Sequence, residues 1–195
     1  MSNSGMDQHQ QTVDSSDVNA DMIYLCSCVV NSVTAEKTRI ERMDLSTLYQ
    51  TAQRHMLTAV VAHALAAAGV RNPAFLWAKE RAVRITAMMD ADQAKILEKL
   101  ESAGIWYMPL KGAVLKDYYP AFGIREMYDR DILIDEDRAR DVRDIMQELG
   151  FSVEEYDKES HGCCRKPPVS IFEMHRRLMG PMSGKEMYSY YLDVK

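Results

Sequence analysis

Cysteine is scarce in this chain and its apolar runs are short, and both features exclude whole classes of protein. The 195 residues include four cysteines, arranged as Cys26-x-Cys28 and Cys163-Cys164. The N-terminus lacks a basic segment followed by an apolar core, so we expect a cytoplasmic protein with reduced thiols. No apolar run reaches the roughly 18–20 residues that cross a bilayer, which predicts no membrane partner.

Glycine and positive charge are also limited. The nine glycines form no G-x-x-x-x-G-K-[ST], G-x-G-x-x-G or G-x-S-x-G motif, which leaves a P-loop enzyme, a dinucleotide-binding enzyme and a serine hydrolase without support. The formal net charge of −5 argues against a broad DNA-binding surface, because duplex binding depends on clustered lysine and arginine. The composition, 47% hydrophobic and 27% charged, is otherwise that of an ordinary globular protein.

The chain is predicted to have three parts and an α+β fold. Residues 1–20 are polar and are predicted to form a disordered tail. Residues 21–103 carry mostly helical patterns and are predicted to form an α-helical N-terminal section. Residues 104–195 alternate short strands with helices, which predicts a small mixed β-sheet with helices packed on it.

Capping residues mark the predicted helices of the N-terminal section. Asp44 is a predicted N-cap for one helix that continues to Gly69. Asn72 and Pro73 supply an N-cap and a proline at the first helical position of a second, long helix. Gly104 is the predicted stop signal of that helix.

The pattern changes after this point. Short apolar or alternating runs predict strands, and runs with helical spacing predict helices. The predicted order is a strand over 105–110, a short helix over 113–118, a strand from about 129 to 134, a helix to about 149, a strand over 151–156, a polar loop over 157–168 and a strand over 169–175.

Asp129-Arg130-Asp131 is the most informative stretch. In a strand the two aspartates project from one face, with Cα atoms about 6.6 Å apart. Two carboxylates held side by side repel each other, and a divalent cation such as Mg²⁺ removes that cost. An Asp-x-Asp also occurs in solvated acidic loops, but here the β-prone run Ile132-Leu133-Ile134 follows directly and indicates a buried strand.

Three further positions are candidates for the same site. Glu173 lies in the middle of a strand, where it is either an exposed edge residue or a third metal carboxylate. Lys111-Gly112 stands between a strand and a helix, where glycine lets the backbone approach a phosphate. Arg125 is either an ordinary turn arginine or a phosphate ligand with a planar fork. Three carboxylates can hold two Mg²⁺ ions about 3.5–4 Å apart, with Mn²⁺ as an alternative.

The ordered segments resemble the putative nucleotidyltransferase family within the DNA polymerase β-like superfamily. The resemblance covers roughly residues 45–178 and rests on three segments together. They are Leu110-Lys111-Gly112, the run from Gly123 through Arg125, Asp129 and Asp131 to Ile134, and Phe172-Glu173-Met174-His175.

This resemblance implies a Mg²⁺-dependent nucleotidyltransferase that uses an NTP. Asp129, Asp131 and Glu173 would be its catalytic metal ligands. Lys111, Gly112 and Arg125 would bind the nucleotide. The hydroxyl acceptor is left open between a small molecule, a protein side chain and an RNA end.

The sequence departs from the family pattern in ways that keep other interpretations open. A Gly-Ser pair common in the superfamily is absent, Arg130 replaces the usual apolar residue between the aspartates, and the chain stops soon after Glu173. We therefore expect a partial or reduced version of the core. A nucleotide- or partner-binding module without catalysis is one alternative, and an α/β domain whose acids are all solvated is another.

Overall fold

The computed structural model describes residues 15–154, 161–178 and 185–190. Within these ranges the chain is an α+β protein in which helices precede a five-stranded mixed sheet. The helices are α1 Ser15–Val30, α2 Lys37–Ile40, α3 Leu45–Arg54, α4 Thr58–Ala67, α5 Pro73–Ser102, α6 Gly112–Leu115, α7 Ala139–Glu148 and α8 Lys185–Tyr190. The strands are β1 Tyr107–Pro109, β2 Arg130–Ile134, β3 Ser152–Glu154, β4 His161–Lys166 and β5 Ser170–His175. Single 3-10 turns follow α6 and β2, at Lys116–Tyr118 and Glu136–Arg138.

The N-terminal helices form a core of their own. Buried side chains of α1, α3 and α4, such as Leu25, Leu48 and Val61, pack together with the first turns of α5. The Asp44 carboxylate accepts hydrogen bonds from the backbone N–H groups of Ser46 and Thr47, as its predicted N-cap role requires.

The single helix predicted from Asp44 to Gly69 is two helices. The backbone of Met56 takes a φ of 55°, a left-handed conformation that a regular helix cannot contain. The break separates α3 from α4. The apolar spacing of the sequence does not reveal it, because both helices bury small or aliphatic side chains. Gly69 ends the second helix at a φ of 72°, as predicted.

Helix α5 connects the two halves of the molecule. Asn72 caps it and Pro73 occupies its first position, as predicted. Its first half contributes Phe75 and Ala82 to the N-terminal core. Its second half contributes Ile96 and Leu100 to the core beneath the sheet. Because α5 contributes side chains to both cores, the domain boundary predicted at residue 103 stays a prediction.

The sheet has the strand order β1-β2-β5-β4-β3. The pair β2–β5 is parallel, and the other neighbouring pairs are antiparallel. One face is apolar, because alternate residues of the central strands pack on α5 and α7. This apolar face includes Ile132, Ile134, Cys164, Phe172 and Met174, all almost fully buried. Asp131 and Leu133 of β2, and Ile171, Glu173 and His175 of β5, therefore lie on the opposite face.

Two sequence predictions are wrong in part. Residues 15–20 belong to α1 and not to a disordered tail, while residues 1–14 lie outside the described residues. The polar loop predicted over 157–168 contains β4, which pairs on both of its edges with β3 and β5. Only two of its residues, Cys163 and Cys164, are apolar, so hydrogen bonding from two neighbours rather than composition makes it a strand. Of this loop, residues 157–160 lie outside the described residues.

The four cysteines are free thiols, on α1 and β4. No helix among the described residues combines the length and apolarity needed to cross a membrane.

Candidate metal and nucleotide site

Asp131 and Glu173 are direct neighbours on adjacent parallel strands. Asp131 of β2 is in register with Glu173 of β5, and Leu133 is in register with His175. Residues in register share a face, so the two carboxylates project from the same side of the sheet. Glu173 and Asp131 therefore lie on the same side of the sheet, as a shared metal site requires.

His175 completes a compact group of possible metal ligands. Its Nε2 atom lies 2.7 Å from Oδ1 of Asp131 and 3.5 Å from Oε2 of Glu173. One ligand atom from each of the three residues falls within 4.8 Å of the others. Asp131 is buried, with 6% of its surface exposed, and the other two are half-buried. Two hard carboxylates and one imidazole suit Mn²⁺ as well as Mg²⁺.

His175 belongs to a segment that carries the family resemblance, and the resemblance implies no role for it. Alternation along β5 places it on the face of Glu173, two residues away. Its contact with Asp131 depends on the register between β2 and β5, which the sequence does not display.

Asp129 stands immediately before β2 and outside the 4.8 Å group that the described residues form. Partial burial raises the pKa of its carboxyl, and the negative charges of Glu173 and Asp131 raise it further. Asp129, Asp131 and Glu173 therefore influence one another electrostatically near the N-terminal end of β2. Its role as a metal ligand stays a prediction.

Lys111 contacts the same carboxylate oxygen as His175. Its Nζ donates a hydrogen bond to Oδ1 of Asp131 at 2.6 Å. That bond is the main reason why the pKa of Lys111 lies above its ordinary value. The backbone of Lys111 has φ 46° and ψ −119°, a conformation that costs an ordinary side chain of order 1–3 kcal/mol. This turn directs the lysine from the end of β1 across the face of β2.

Gly112 and Arg125 are adjacent in space, as a shared phosphate site would require. A Cβ on Gly112 would lie 2.7 Å from Sδ of Met127 and 3.4 Å from Nη2 of Arg125. Glycine at this position thus has a packing reason, and the four-residue helix α6 adds little dipole of its own. The guanidinium of Arg125 lies 5.6 Å from the ring centroid of Tyr119 and donates to its hydroxyl at 3.4 Å.

Arg130 points away from the acids and is fully buried under α5. Its Nη1 lies 2.6 Å from Oδ1 of Asp90 and 2.7 Å from Oε1 of Gln93. Asp90 also pairs with Lys116, just after α6, at 3.3 Å. One helical carboxylate therefore joins the strand of Asp129 and Asp131 to the segment of Lys111 and Gly112. Arg130, the unusual residue between the two aspartates, therefore has the carboxylate of Asp90 as its partner.

The segment that leads into β2 is fixed at two points. The carboxylate of Glu126 accepts hydrogen bonds from the hydroxyl of Thr58 and from the backbone N–H of Ala59 at 2.9 Å, so it caps helix α4. Gly123, at φ 75°, lies so close to α5 that a Cβ would come within 2.7 Å of the backbone of Val83. These contacts position Arg125 and Asp129 relative to the helical section.

Comparison with known proteins identifies the family of this chain. Residues 41–193 match a family model described as "Uncharacterised nucleotidyltransferase", and the chain belongs to that family. No significant match was found among curated proteins or among solved structures. The family resemblance inferred from the sequence is therefore confirmed, and so is the α+β fold class.

Proposed function

We propose that this protein transfers a nucleoside monophosphate from an NTP to a hydroxyl acceptor and releases pyrophosphate. The acceptor oxygen bonds to the α-phosphorus, the bond from that phosphorus to the β-phosphate oxygen breaks, and the hydroxyl proton passes to solvent. The observation that supports this proposal most strongly is the grouping of Asp131, Glu173 and His175 on one face of the sheet, in a chain of the nucleotidyltransferase family.

The donor set of the site fits a divalent metal. Asp131 and Glu173 would hold Mg²⁺, with Asp129 and His175 as further ligands. When bound, Mg²⁺ neutralises charge on the triphosphate and lowers the pKa of an attacking hydroxyl. The residues themselves contribute positioning and charge, which carry most of the catalysis in this class of transfer.

Lys111 and Arg125 are the proposed phosphate ligands. The side chain of Lys111 is 65% exposed, so it can turn from Asp131 towards a phosphate as the nucleotide binds. Arg125 presents a planar fork beside Gly112. Its Nε atom is buried without a hydrogen-bond partner among the described residues. An arginine with spare donors at this position supports a role in binding an anion.

Transfer from an NTP labelled at the α-phosphate tests the proposal directly. Asp131→Asn and Glu173→Gln should each reduce label transfer by at least about a hundredfold, since charge stabilisation at the reacting phosphate is lost. Asp137→Asn is the matched control, because Asp137 is exposed on the 3-10 turn after β2. Circular dichroism should show that all three variants stay folded. Full activity in either site variant would overturn the proposal.

The same experiment separates catalysis from simple binding. A catalytically reduced module would bind Mg²⁺ and NTP without releasing pyrophosphate. One of the three departures that favour such a module, Arg130, is accommodated by Asp90 and Gln93 on the face opposite the acids, so it leaves the proposed site undisturbed.

A further inference from the structure

A cavity of about 590 Å³ borders the residues directly before Asp129 and the turn that joins β4 to β5. Its walls include Met127 and Tyr128 from the segment before Asp129, Arg165 of β4, Ile171 of β5, and Arg81 and Ile85 of α5. Ile171 precedes Glu173 by two positions on the same face of β5, and its register partner on β4 is Arg165. The cavity therefore adjoins the site along the row of the sheet next to Asp131 and Glu173.

The position of this cavity relative to the proposed phosphate ligands limits what it can hold. Lys111 and Gly112 follow β1, on one side of β2, whereas the strands that line the cavity, β3, β4 and β5, lie on the other side of β2. Phosphoryl-type transfer places the attacking oxygen and the departing oxygen roughly in line across phosphorus. If pyrophosphate leaves on the side of Lys111, the attacking hydroxyl must approach from the side of the cavity.

The charges of the cavity indicate the chemistry of its ligand. Arg81, Arg165 and Lys166 line it together with a single acid, Glu126. The carboxylate of Glu126 already accepts hydrogen bonds from the start of α4, and Lys166 pairs with Asp92 at 2.9 Å. The cavity wall is thus positive in a chain whose net charge is −5.

The two arginines are the groups best able to reach a ligand. Arg165 has a long ion pair with Glu154, at 3.5 Å, and a hydrogen bond with the exposed Tyr128. Arg81 stacks loosely on Trp77, at 5.9 Å from the ring centroid. Arginine forks of this kind suit carboxylate and phosphate groups.

We propose that this cavity is the acceptor site, and that the acceptor is a small hydroxyl compound carrying a phosphate or carboxylate group. The inference rests on the proposed nucleotidyl transfer. A volume of about 590 Å³ is within the roughly 300–1,000 Å³ range of small-molecule pockets. Arg81 and Arg165 bind the anionic group, and the hydroxyl faces Asp131 and Glu173.

Calorimetric titration of the full chain with charged and uncharged pairs of compounds tests this inference. The probes are ribose 5-phosphate with ribose, glycerol 3-phosphate with glycerol, and 3-hydroxybutyrate with 1,3-butanediol. We expect at least one anionic compound to bind about tenfold more tightly than its uncharged counterpart, as a charge-assisted hydrogen bond allows. Arg165→Gln and Arg81→Gln should each remove most of that preference. Arg84→Gln, an exposed arginine of α5 that does not line the cavity, should leave it unchanged.

A second titration, with Mg²⁺ and each of the four α,β-methylene ribonucleoside triphosphates, separates this inference from the function on which it rests. Both cavity variants should bind the analogue as the wild type does, whereas Asp131→Asn should not. Absence of binding by every anionic probe, insensitivity to both arginine substitutions, or competition between probe and analogue would overturn the acceptor site alone. Failure of the wild type to bind any analogue would overturn the nucleotidyl transfer, and the acceptor site with it.

Discussion

Strand β2 carries a cation to one face of the sheet and an anion to the other, at consecutive residues. Arg130 is completely buried and held by Asp90 and Gln93 from α5. Asp131 lies on the opposite face, where it contacts Lys111 and His175 and is in register with Glu173. The comparison separates two uses of charge. One is an ion pair that fixes one helix to one strand, and the other is a cluster of side chains with the donor set of a metal site.

The energetic consequences of the two faces differ. A buried ion pair contributes little net stability, but removing one partner leaves an uncompensated charge in the interior. On the other face, partial burial and the negative charges of Glu173 and Asp131 raise the pKa of Asp129, so holding these acids together costs the folded state stability. The predictions below test this difference, from the largest effect to the smallest.

Removing the buried cation should destabilise the protein strongly. In Arg130→Met, Asp90 is 30% exposed and keeps only its longer pair with Lys116, so the free energy of unfolding should fall by about 2–3 kcal/mol. The double variant Arg130→Met/Asp90→Leu should recover most of that loss, since no charge is then left unpaired. Urea unfolding followed by circular dichroism measures both. Equal stability of the wild type and Arg130→Met would show that this pair does not hold α5 to β2.

Removing Lys111, the cation on the face of the acids, should change the affinity for metal and nucleotide. Lys111→Met frees the Oδ1 atom of Asp131, so Mn²⁺ should bind more tightly in the absence of nucleotide. Binding of the Mg²⁺–NTP analogue should weaken by about tenfold, because one phosphate ligand is lost. Electron paramagnetic resonance and calorimetry measure the two affinities. A change in the same direction for both would show that Lys111 does not alternate between Asp131 and a phosphate.

Substitution of Asp92 should give the smallest change in the free energy of unfolding, and the change that depends most on pH. Burial alone would raise the pKa of its carboxyl, but hydrogen bonds from Lys166 and Ser170 hold it below its ordinary value. Its contribution to stability is therefore present above the unfolded pKa of about 3.9 and is lost as the pH falls through the lower folded pKa. Asp92→Asn should cost about 1.5 kcal/mol at pH 7.

That difference between wild type and Asp92→Asn should close as urea unfolding is repeated from pH 7 towards pH 3. Asp144→Asn, an exposed acid of α7, serves as the control and should show no such trend. A difference that persists unchanged at pH 3 would contradict the assignment of Asp92 as an ionised anchor of β4 and β5.

Local rules predicted much of the fold because the deciding signals are local. Asp44, Asn72 and Gly104 mark helix ends through caps and turns that involve only their neighbours. Alternation along β5 separated Phe172 and Met174 from Glu173 and His175. The break between α3 and α4 has no local signal, because the side chain that caps the start of α4 belongs to Glu126, far along the chain.

The site could be predicted only in part for the same reason. Alternation places Asp131 on one face of β2 and Glu173 on one face of β5, but not in the same row. Their register depends on β2 and β5, about forty residues apart, becoming parallel neighbours, while β4 pairs with the other edge of β5. The contact of His175 with Asp131 follows from that register, and the contact of Lys111 follows from the antiparallel pairing of β1 with β2. No pattern within a single segment displays either contact.

The central claim is that Asp131, Glu173 and His175 together bind a divalent metal for nucleotide chemistry. Titration of the full chain with Mn²⁺, followed by electron paramagnetic resonance, tests it most directly. The wild type and Asp137→Asn should bind Mn²⁺ alike, whereas Asp131→Asn and Glu173→Gln should each weaken binding by about tenfold or more. Equal affinity in all four proteins would contradict the claim.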